Sequence, residues 1–218
     1  MAKKKTITEN NLIDFYMDYV LEHGKSPHSV YKFAKDNNFE EALFYNHFGN
    51  FKALEQKIFT AFFHNALNLL ATNEDYQSFD ARNKLLSFYY TFFEILTANR
   101  SYVIHALNSE DKPLNAIKSL SKLKSEFSDY IKSLEIETFN IDQEQIEKIQ
   151  QRTIVETAWL QLLVTIKFWM DDTSAGFEKT DIFIEKSLKT SFDVINTQPL
   201  KSVIDFGKFL FKERMQMN

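Results

Sequence analysis

The 218-residue chain has no cysteine, four glycines and three prolines. The absence of cysteine excludes disulfides, thiolate metal ligands and a cysteine nucleophile, and it is compatible with a reducing cytosol. Sandwiches, barrels and glycine-turned α/β folds need many turn residues, so the scarcity of glycine and proline disfavours them. These absences favour an all-α fold.

Long apolar segments are also missing. The longest uncharged stretch, residues 58–73, is interrupted by Thr60, His64, Asn65 and Asn68. It falls short of the roughly 18 apolar residues expected of a membrane span. The basic start of the chain is not followed by an apolar segment, which is unlike a secretory signal. We therefore expect a soluble, cytoplasmic protein.

Catalytic signatures are absent as well. The five histidines are scattered, and the chain has no His-Glu-x-x-His pair, no phosphate-binding glycine loop and no nucleophile elbow. Most acidic residues fall on helix surfaces, where charge is normally solvated. We predict that the protein is not an enzyme and that it needs no cofactor and no metal.

Apolar residues recur at helical spacing along almost the whole chain, and 22 of the residues are phenylalanine. Before residue 50 the predicted helices are short, and after it they are long and rich in aromatic residues. This change predicts a small head, residues 1–50, and a larger helical body, residues 51–218. The predicted helices are 8–23, 30–37, 40–48, 51–70, 80–99, 102–108, 113–134, 142–170, 180–196 and 200–216, with a loop at 73–78.

Two short helices joined by a tight turn and braced by a third form a helix-turn-helix arrangement. Residues 33–35, 38–39, 43–50 and 53–54 read Phe-Ala-Lys, Asn-Phe, Leu-Phe-Tyr-Asn-His-Phe-Gly-Asn and Ala-Leu. This pattern resembles the N-terminal domain of TetR-family transcriptional regulators. The Tyr-x-His-Phe element followed by a small turn is its most specific part.

The TetR resemblance implies a homodimer that places the third helix of each head in a DNA major groove. The family positions that contact operator DNA map to Ser29, Glu41, Ala42, Leu43, Tyr45, His47 and Lys52. Lys3, Lys4 and Lys5 form either an arm that contacts DNA or a solvated tail.

Two features of the head depart from the family pattern. Phe51 stands where the family commonly has a lysine, and Lys52 follows one position later. Residues 6–60 contain five lysines, no arginine and eight acidic residues, a net charge of −3. Because duplex affinity depends on phosphate neutralisation, this charge opposes DNA binding. Glu41 could accept a hydrogen bond from cytosine, or it could only stabilise the helix N-terminus.

Aromatic side chains are concentrated in the predicted body. TetR-like bodies commonly enclose a cavity, and aromatic walls with few polar anchors suit an apolar or aromatic small molecule or a lipid. The alternative is a solid core without a cavity. The candidate pocket residues are Phe63, His64, Phe88, Phe92, His105, Asn108, Phe127, Trp159 and Gln161.

The two late helices carry apolar stripes that are typical of a self-complementary dimer seam. In TetR-like proteins such helices pair with their copies in a four-helix arrangement. The candidate dimer residues are Ile154, Ala158, Leu162, Ile184, Leu188, Phe192 and Ile195.

A second, local resemblance lies at residues 169–180, where an Asp-x-Ser-x-Gly turn leads to Thr180 and an apolar helix. This segment is similar to the mitochondrial lipid-binding accessory proteins of ubiquinone biosynthesis, which have a TetR-like fold and bind isoprenoid lipid. The simpler interpretation is helix capping, with Asp172 and Ser174 ending one helix and Thr180 capping the next.

The C-terminal segment combines Val203, Phe206, Phe209, Leu210 and Phe211 with four basic residues. Such a helix, residues 200–217, suits either a membrane surface or packing on the protein's own body. The sequence thus predicts a TetR-like dimeric regulator that is released from operator DNA by a hydrophobic ligand. The alternative is a lipid-binding protein with a TetR-like fold and a head that no longer binds DNA.

Overall fold

The structure, a computed structural model, describes residues 7–108, 118–136 and 144–195. These residues form ten α-helices and one short 3-10 turn, and no strand occurs among them. The prediction of an all-α fold is confirmed. The helices are α1 Glu9–His23, α2 Val30–Asp36, α3 Glu41–His47, α4 Phe51–Ala71, α5 Glu74–Ser78, α6 Ala81–Ala98, α7 Arg100–Asn108, α8 Ser121–Ser133, α9 Glu144–Asp171 and α10 Glu178–Ile195.

One helix was not expected from the sequence. Residues 73–78 were predicted to form a loop, but α5 lies within them. The Asn73 side chain accepts a hydrogen bond from the Asp75 amide at 2.9 Å and caps the helix. Tyr76 is buried, and its hydroxyl lies 2.9 Å from the Tyr130 hydroxyl. A short polar segment is therefore stabilised by one tertiary contact, which a local pattern does not reveal. The predicted helix 200–216 and the first part of the predicted helix 113–134 lie outside the described residues.

The chain divides into two compact units. Unit 1 comprises Met1–Asn68 and Phe92–Glu126, and unit 2 comprises Leu69–Thr91 and Phe127–Asn218. The predicted division at residue 50 remains a prediction.

Unit 1 contains α1, α2 and α3, packed around an aromatic core. Leu12, Phe33, Phe44 and Leu54 are fully buried. The Phe33 ring makes edge contacts with Tyr16, Phe39, Phe44 and Phe51, with centroids 5.5–6.3 Å apart. Edge-to-face packing of this kind contributes beyond simple burial of area. The short helices are held together by this shared aromatic cluster.

Local signals set the ends of α1. Thr8 and Asn11 form a reciprocal capping box at its start. At its end, Gly24 adopts a left-handed conformation with φ of 65°, and its amide donates to the Val20 carbonyl at 2.8 Å. Glycine suits this position because it has no Cβ to clash there.

Unit 2 has a second aromatic cluster, built by α6, α8 and α9. The Phe88 ring lies 5.7 Å from Phe127 and 5.0 Å from Tyr130, and Phe127 lies 6.2 Å from Trp159. Phe88 and Phe127 are fully buried, and so is Trp169 further along α9. Helices α9 and α10 pack against each other, and the Gln161 side chain of α9 forms hydrogen bonds with Ser187 and Ser191 of α10.

Candidate functional site

The first candidate site is the helix-turn-helix of α2 and α3. Ser29 caps α2, because its hydroxyl accepts a hydrogen bond from the Lys32 amide at 3.2 Å. After α2 the chain turns at Asn38, whose φ is 57°, and the Phe39 amide donates to the Ala34 carbonyl at 3.0 Å. Asparagine tolerates this left-handed conformation better than most residues. The predicted end of this helix at residue 37 agrees with the structure, in which Asn37 is the C-cap of α2.

The outward side of α3 carries several of the predicted DNA-contacting residues. Ala42, Tyr45 and His47 are exposed on it, with Tyr45 at 53%. Glu41 and Leu43 are half-buried, and Phe44 points inward to the core. The Tyr45 hydroxyl lies 3.5 Å from the Glu41 carboxylate, one turn away, a distance at which a hydrogen bond is weak. Lys3, Lys4 and Lys5 lie outside the described residues.

Phe51 explains one departure from the family pattern. Its ring lies 5.5 Å from Tyr16, 5.5 Å from Phe33 and 5.2 Å from Phe44. The first residue of α4 therefore completes the aromatic core of the head. Lys52 is exposed beside it, and the Asn50 side chain caps α4 by accepting from the Ala53 amide at 2.9 Å.

One acidic residue, Glu9, lies beside two basic side chains of the head. The Glu9 carboxylate lies 3.7 Å from the His47 ring and 3.3 Å from the Lys57 ammonium. His47 is thus next to a carboxylate, which competes with phosphate for any proton-bearing nitrogen of its ring. Ser29, in turn, uses its hydroxyl as a helix cap. The electrostatics of the described head agree with the negative balance counted in the sequence.

The predicted ligand-pocket residues are divided between the two units. Phe63 and Phe92 are buried in unit 1, while Phe88, Phe127 and Trp159 are buried in the cluster of unit 2. Asn108 is exposed, and the His64 ring lies 2.7 Å from the Glu126 carboxylate at the surface of unit 1. His105 and Gln161 line two separate cavities.

Gln161 belongs to an open groove of about 750 Å³ along α9 and α10. Its apolar wall consists of Leu160, Val164, Phe168, Ile182 and Phe183. Leu160 is 59% exposed, Val164 48% and Ile182 50%. The rings of Phe168 and Phe183 stack with centroids 4.5 Å apart. A contiguous apolar surface of this kind is a candidate interaction site.

The seven predicted dimer residues do not coincide with this groove. Leu162, Ile184 and Leu188 are fully buried inside the protomer, so their side chains are not available to a second copy. Ile154, Ala158, Phe192 and Ile195 are half-buried. Sequence analysis missed Leu160, Val164 and Phe168, although their spacing of four residues is a helical stripe of its own.

Asp172 joins α9 to α10. One of its carboxylate oxygens accepts from the Ser174 amide at 2.8 Å and the Ser174 hydroxyl at 2.6 Å. The other accepts from the Thr180 amide at 2.9 Å and the Thr180 hydroxyl at 2.7 Å. The Ser174 hydroxyl is the main cause of a pKa well below the usual range for Asp172, and the other three donors add to it.

The capping interpretation of residues 169–180 needs one correction. Thr180 lies inside α10, which begins at Glu178, so it is not the N-cap. The capping acceptor is the Asp172 carboxylate, eight residues earlier in the chain. Gly176 makes the turn with a φ of 63°. These contacts give the motif a structural role.

The described residues offer neither a cluster of metal-binding side chains nor a helix that could span a membrane. Within residues 7–108, 118–136 and 144–195, no three or more histidine or acidic side chains come together where they could hold a metal ion. Across the same ranges, no helix has the length and apolar character needed to cross a membrane.

Comparison with known proteins decides the family. Residues 84–210 match a family described as "Tetracyclin repressor-like, C-terminal domain", and this match covers more than half of the chain. The chain belongs to the TetR family. No curated protein matches it. As a TetR-family member the protein is a regulator in general terms, and its all-α, TetR-like fold agrees with the resemblance found in the head.

Proposed function

We propose that this TetR-family protein is a homodimeric regulator that binds operator DNA and is released by an apolar ligand. The observation that carries the proposal is the helix-turn-helix of unit 1, in which α3 exposes Ala42, Tyr45 and His47 over a closed aromatic core. A recognition helix needs this combination of a rigid base and an exposed side that reaches base edges. Family membership through residues 84–210 supports it independently.

The acidic head determines how the protein would bind DNA. With five lysines against eight acids in residues 6–60, few phosphates can be neutralised. Each phosphate contact contributes a slope of about −0.9 to the logarithmic salt dependence of affinity. We therefore expect specific binding with a shallow salt dependence, in which Tyr45 and Glu41 read base edges and Lys52 contacts phosphate.

The groove along α9 and α10 supports the dimer. A second copy related by two-fold symmetry would place Leu160, Val164 and Ile182 against the same residues of its partner, as an isologous interface requires. The exposed apolar row along two adjacent helices would lose its contact with water when the dimer forms. It would then provide the buried apolar centre that stable interfaces contain. We propose this surface in place of the predicted seam because Leu162 and Ile184 are buried inside the protomer.

The ligand step would be allosteric. A ligand that binds one conformation of the dimer better than the other shifts the equilibrium by its difference in affinity and thereby weakens DNA binding. We propose that an apolar or aromatic ligand or lipid binds at the aromatic cluster of Phe88, Phe127 and Trp159, whose packed rings would have to move apart to admit it. Mass spectrometry of an organic extract of the purified protein tests for such a ligand directly.

Fluorescence anisotropy tests the DNA-binding proposal. The full chain is titrated into labelled DNA from upstream of its own gene and into a scrambled duplex of equal length, at two salt concentrations. We expect preferential binding to the upstream DNA with a dissociation constant of roughly 10⁻⁸ M or lower. Equal, weak and salt-sensitive binding to both duplexes would contradict the proposal.

A matched pair of variants locates the contact. Tyr45→Ala should weaken specific binding about tenfold, because it removes an exposed side chain from α3. Leu21→Ala removes an exposed apolar side chain from α1 in the same unit and should leave affinity unchanged. Equal effects of the two variants would argue against α3 as the recognition helix.

The second candidate function is lipid binding without DNA binding, and the net negative head favours it. In this case the residues after Pro199 would contact membranes. Truncation after Pro199 should then reduce binding to liposomes in a flotation assay, whereas the full chain should show no preference for its upstream DNA. Unchanged liposome binding after truncation would exclude this role for the segment.

A further inference from the structure

A second cavity lies entirely within unit 1, where the end of α1 meets α4 and α7. Its volume is about 320 Å³, at the lower end of the range for small-molecule sites. We name it the Glu55 pocket. Its chemically informative lining residues are Tyr16, Lys25, Ser26, Glu55, Tyr102 and His105.

One side of the Glu55 pocket is a carboxylate held by two hydroxyls. Glu55 Oε1 accepts hydrogen bonds from the Tyr16 hydroxyl and, at 3.2 Å, from the Ser26 hydroxyl. The Tyr16 and Ser26 oxygens are themselves 2.8 Å apart. Among the residues that the structure describes, the second oxygen of Glu55 accepts no hydrogen bond, and no cation pairs with the carboxylate.

The pocket is also lined by Tyr102, which is a buried residue. Tyr102 is only 1% exposed and lines the cavity. Its hydroxyl makes no hydrogen bond with any residue in the described ranges. Burial raises the pKa of Tyr102, and the neighbouring Tyr16 and Glu55 raise it further. The phenol therefore stays neutral and can donate or accept a hydrogen bond within the cavity.

Together these groups favour a particular chemistry in the occupant. A free carboxylate oxygen and hydroxyl oxygens are acceptors for the three donors of an ammonium group. The aromatic rings of Tyr16, Phe59 and Tyr102 line the same cavity, and aromatic faces attract cations. His105 also lines the cavity and can form a hydrogen bond with a second polar group on the same molecule.

We propose that the Glu55 pocket binds a small organic amine, with the ammonium group at Glu55 and Tyr102. This site is distinct from the apolar ligand of the proposed function, and the binding does not depend on whether the head recognises DNA.

Isothermal titration calorimetry with the full chain tests the proposal with pairs of probes of similar size, in which one member is a charged amine and the other a neutral alcohol. Ethanolamine and tyramine carry the amine at two sizes, and ethylene glycol and tyrosol are their alcohol counterparts. We expect at least one amine to bind and its alcohol counterpart to bind at least tenfold more weakly. Absence of binding by both amines at about 10 mM, or equal binding of an amine and its alcohol, would overturn the proposal.

Variants assign the binding to the pocket. Glu55→Gln keeps a hydrogen-bond acceptor but removes the charge, and it should lower amine affinity roughly tenfold or more. Tyr102→Phe removes only the hydroxyl and should lower affinity several-fold without loss of thermal stability. Glu9→Gln makes the same carboxylate-to-amide change in unit 1 outside the pocket and should bind like the wild type. Unchanged affinity in both pocket variants would overturn the proposal.

Lys25→Ala provides a test of opposite sign. If Glu55 receives an external ammonium, removal of a nearby cation leaves the affinity unchanged or raises it. A fall in amine affinity in this variant would indicate that Lys25 contacts the ligand in place of Glu55, and would contradict the assignment.

Discussion

In the head, the aromatic side chains of α1 to α4 cover one another, whereas on α9 and α10 a row of apolar side chains remains exposed. Phe33 and Phe44 are fully buried, while Leu160 is 59% exposed. Helices α2 and α3 have seven residues each and cannot bury much area singly, so they share one aromatic cluster with α1 and α4. The long pair α9 and α10 buries one apolar stripe in the protomer and leaves another exposed.

The largest expected effect comes from a substitution in the buried aromatic core of the head. Phe33→Ala should destabilise unit 1 by about 3–5 kcal/mol, because it leaves a cavity among four other rings. Chemical denaturation followed by circular dichroism measures the change. Tyr31→Ala, two residues away on the same helix but 62% exposed, should change stability by less than about 0.5 kcal/mol. Comparable losses in the two variants would refute a closed core at Phe33.

The next largest effect comes from a substitution in the exposed apolar row of α9 and α10. Leu160→Glu should raise the dimer dissociation constant roughly thirtyfold or more, because a charge would enter the centre of the proposed interface. Sedimentation equilibrium measures the constant. Leu69→Glu is the matched control, since Leu69 is similarly exposed but lies outside the groove. The proposed interface is incorrect if both variants dimerise as tightly as the wild type.

A smaller effect concerns the junction that fixes α10 against α9. Asp172→Asn removes the charge of a carboxylate whose two oxygens accept four hydrogen bonds. The melting temperature at pH 7 should therefore fall by a few degrees. Because the folded-state pKa of Asp172 is lowered from 3.8, its stabilisation is complete above that value and is lost as the pH falls below it.

The wild type and the Asp172 variant should therefore converge in melting temperature as the pH is lowered below about 4. Differential scanning calorimetry between pH 7 and pH 3 measures this approach. A constant difference across the range would show that the charge of Asp172 does not contribute.

The smallest expected effect concerns the side chain that caps the start of α4. Asn50→Ala should cost about 1 kcal/mol, because the Ala53 amide loses its capping acceptor. Asn46→Ala, on the exposed side of α3, provides the control and should be nearly neutral in a urea titration. A neutral Asn50 variant would mean that water replaces the cap without cost.

Sequence reasoning succeeded where the signal is local. The turn at Asn38, the glycine end of α1 and the start of α4 at Phe51 all follow from residue preferences over a few positions. The aromatic residues of the head were harder to assign, since Phe48 is buried but Tyr45, three positions earlier, is 53% exposed.

It failed where the answer depends on tertiary partners. Helix α9 is apolar on more than one side, so spacing alone could not tell whether Leu162 or Leu160 faces the protomer's own core. The pairing of Tyr16 with Glu55 joins residues 39 positions apart and has no periodic signature. The Asp172 carboxylate was assigned to the end of α9, but its donors lie on both sides of the turn.

Phe51 has a mechanical consequence. Its ring is inserted among Tyr16, Phe33 and Phe44, although it belongs to the first turn of a 21-residue helix. Each residue of an α-helix advances about 100° around the axis, so a twist of α4 by one residue would withdraw the ring from its neighbours. We therefore expect a rotation of the start of α4 to move α1, α2 and α3 with it, so that these helices shift together as one rigid group.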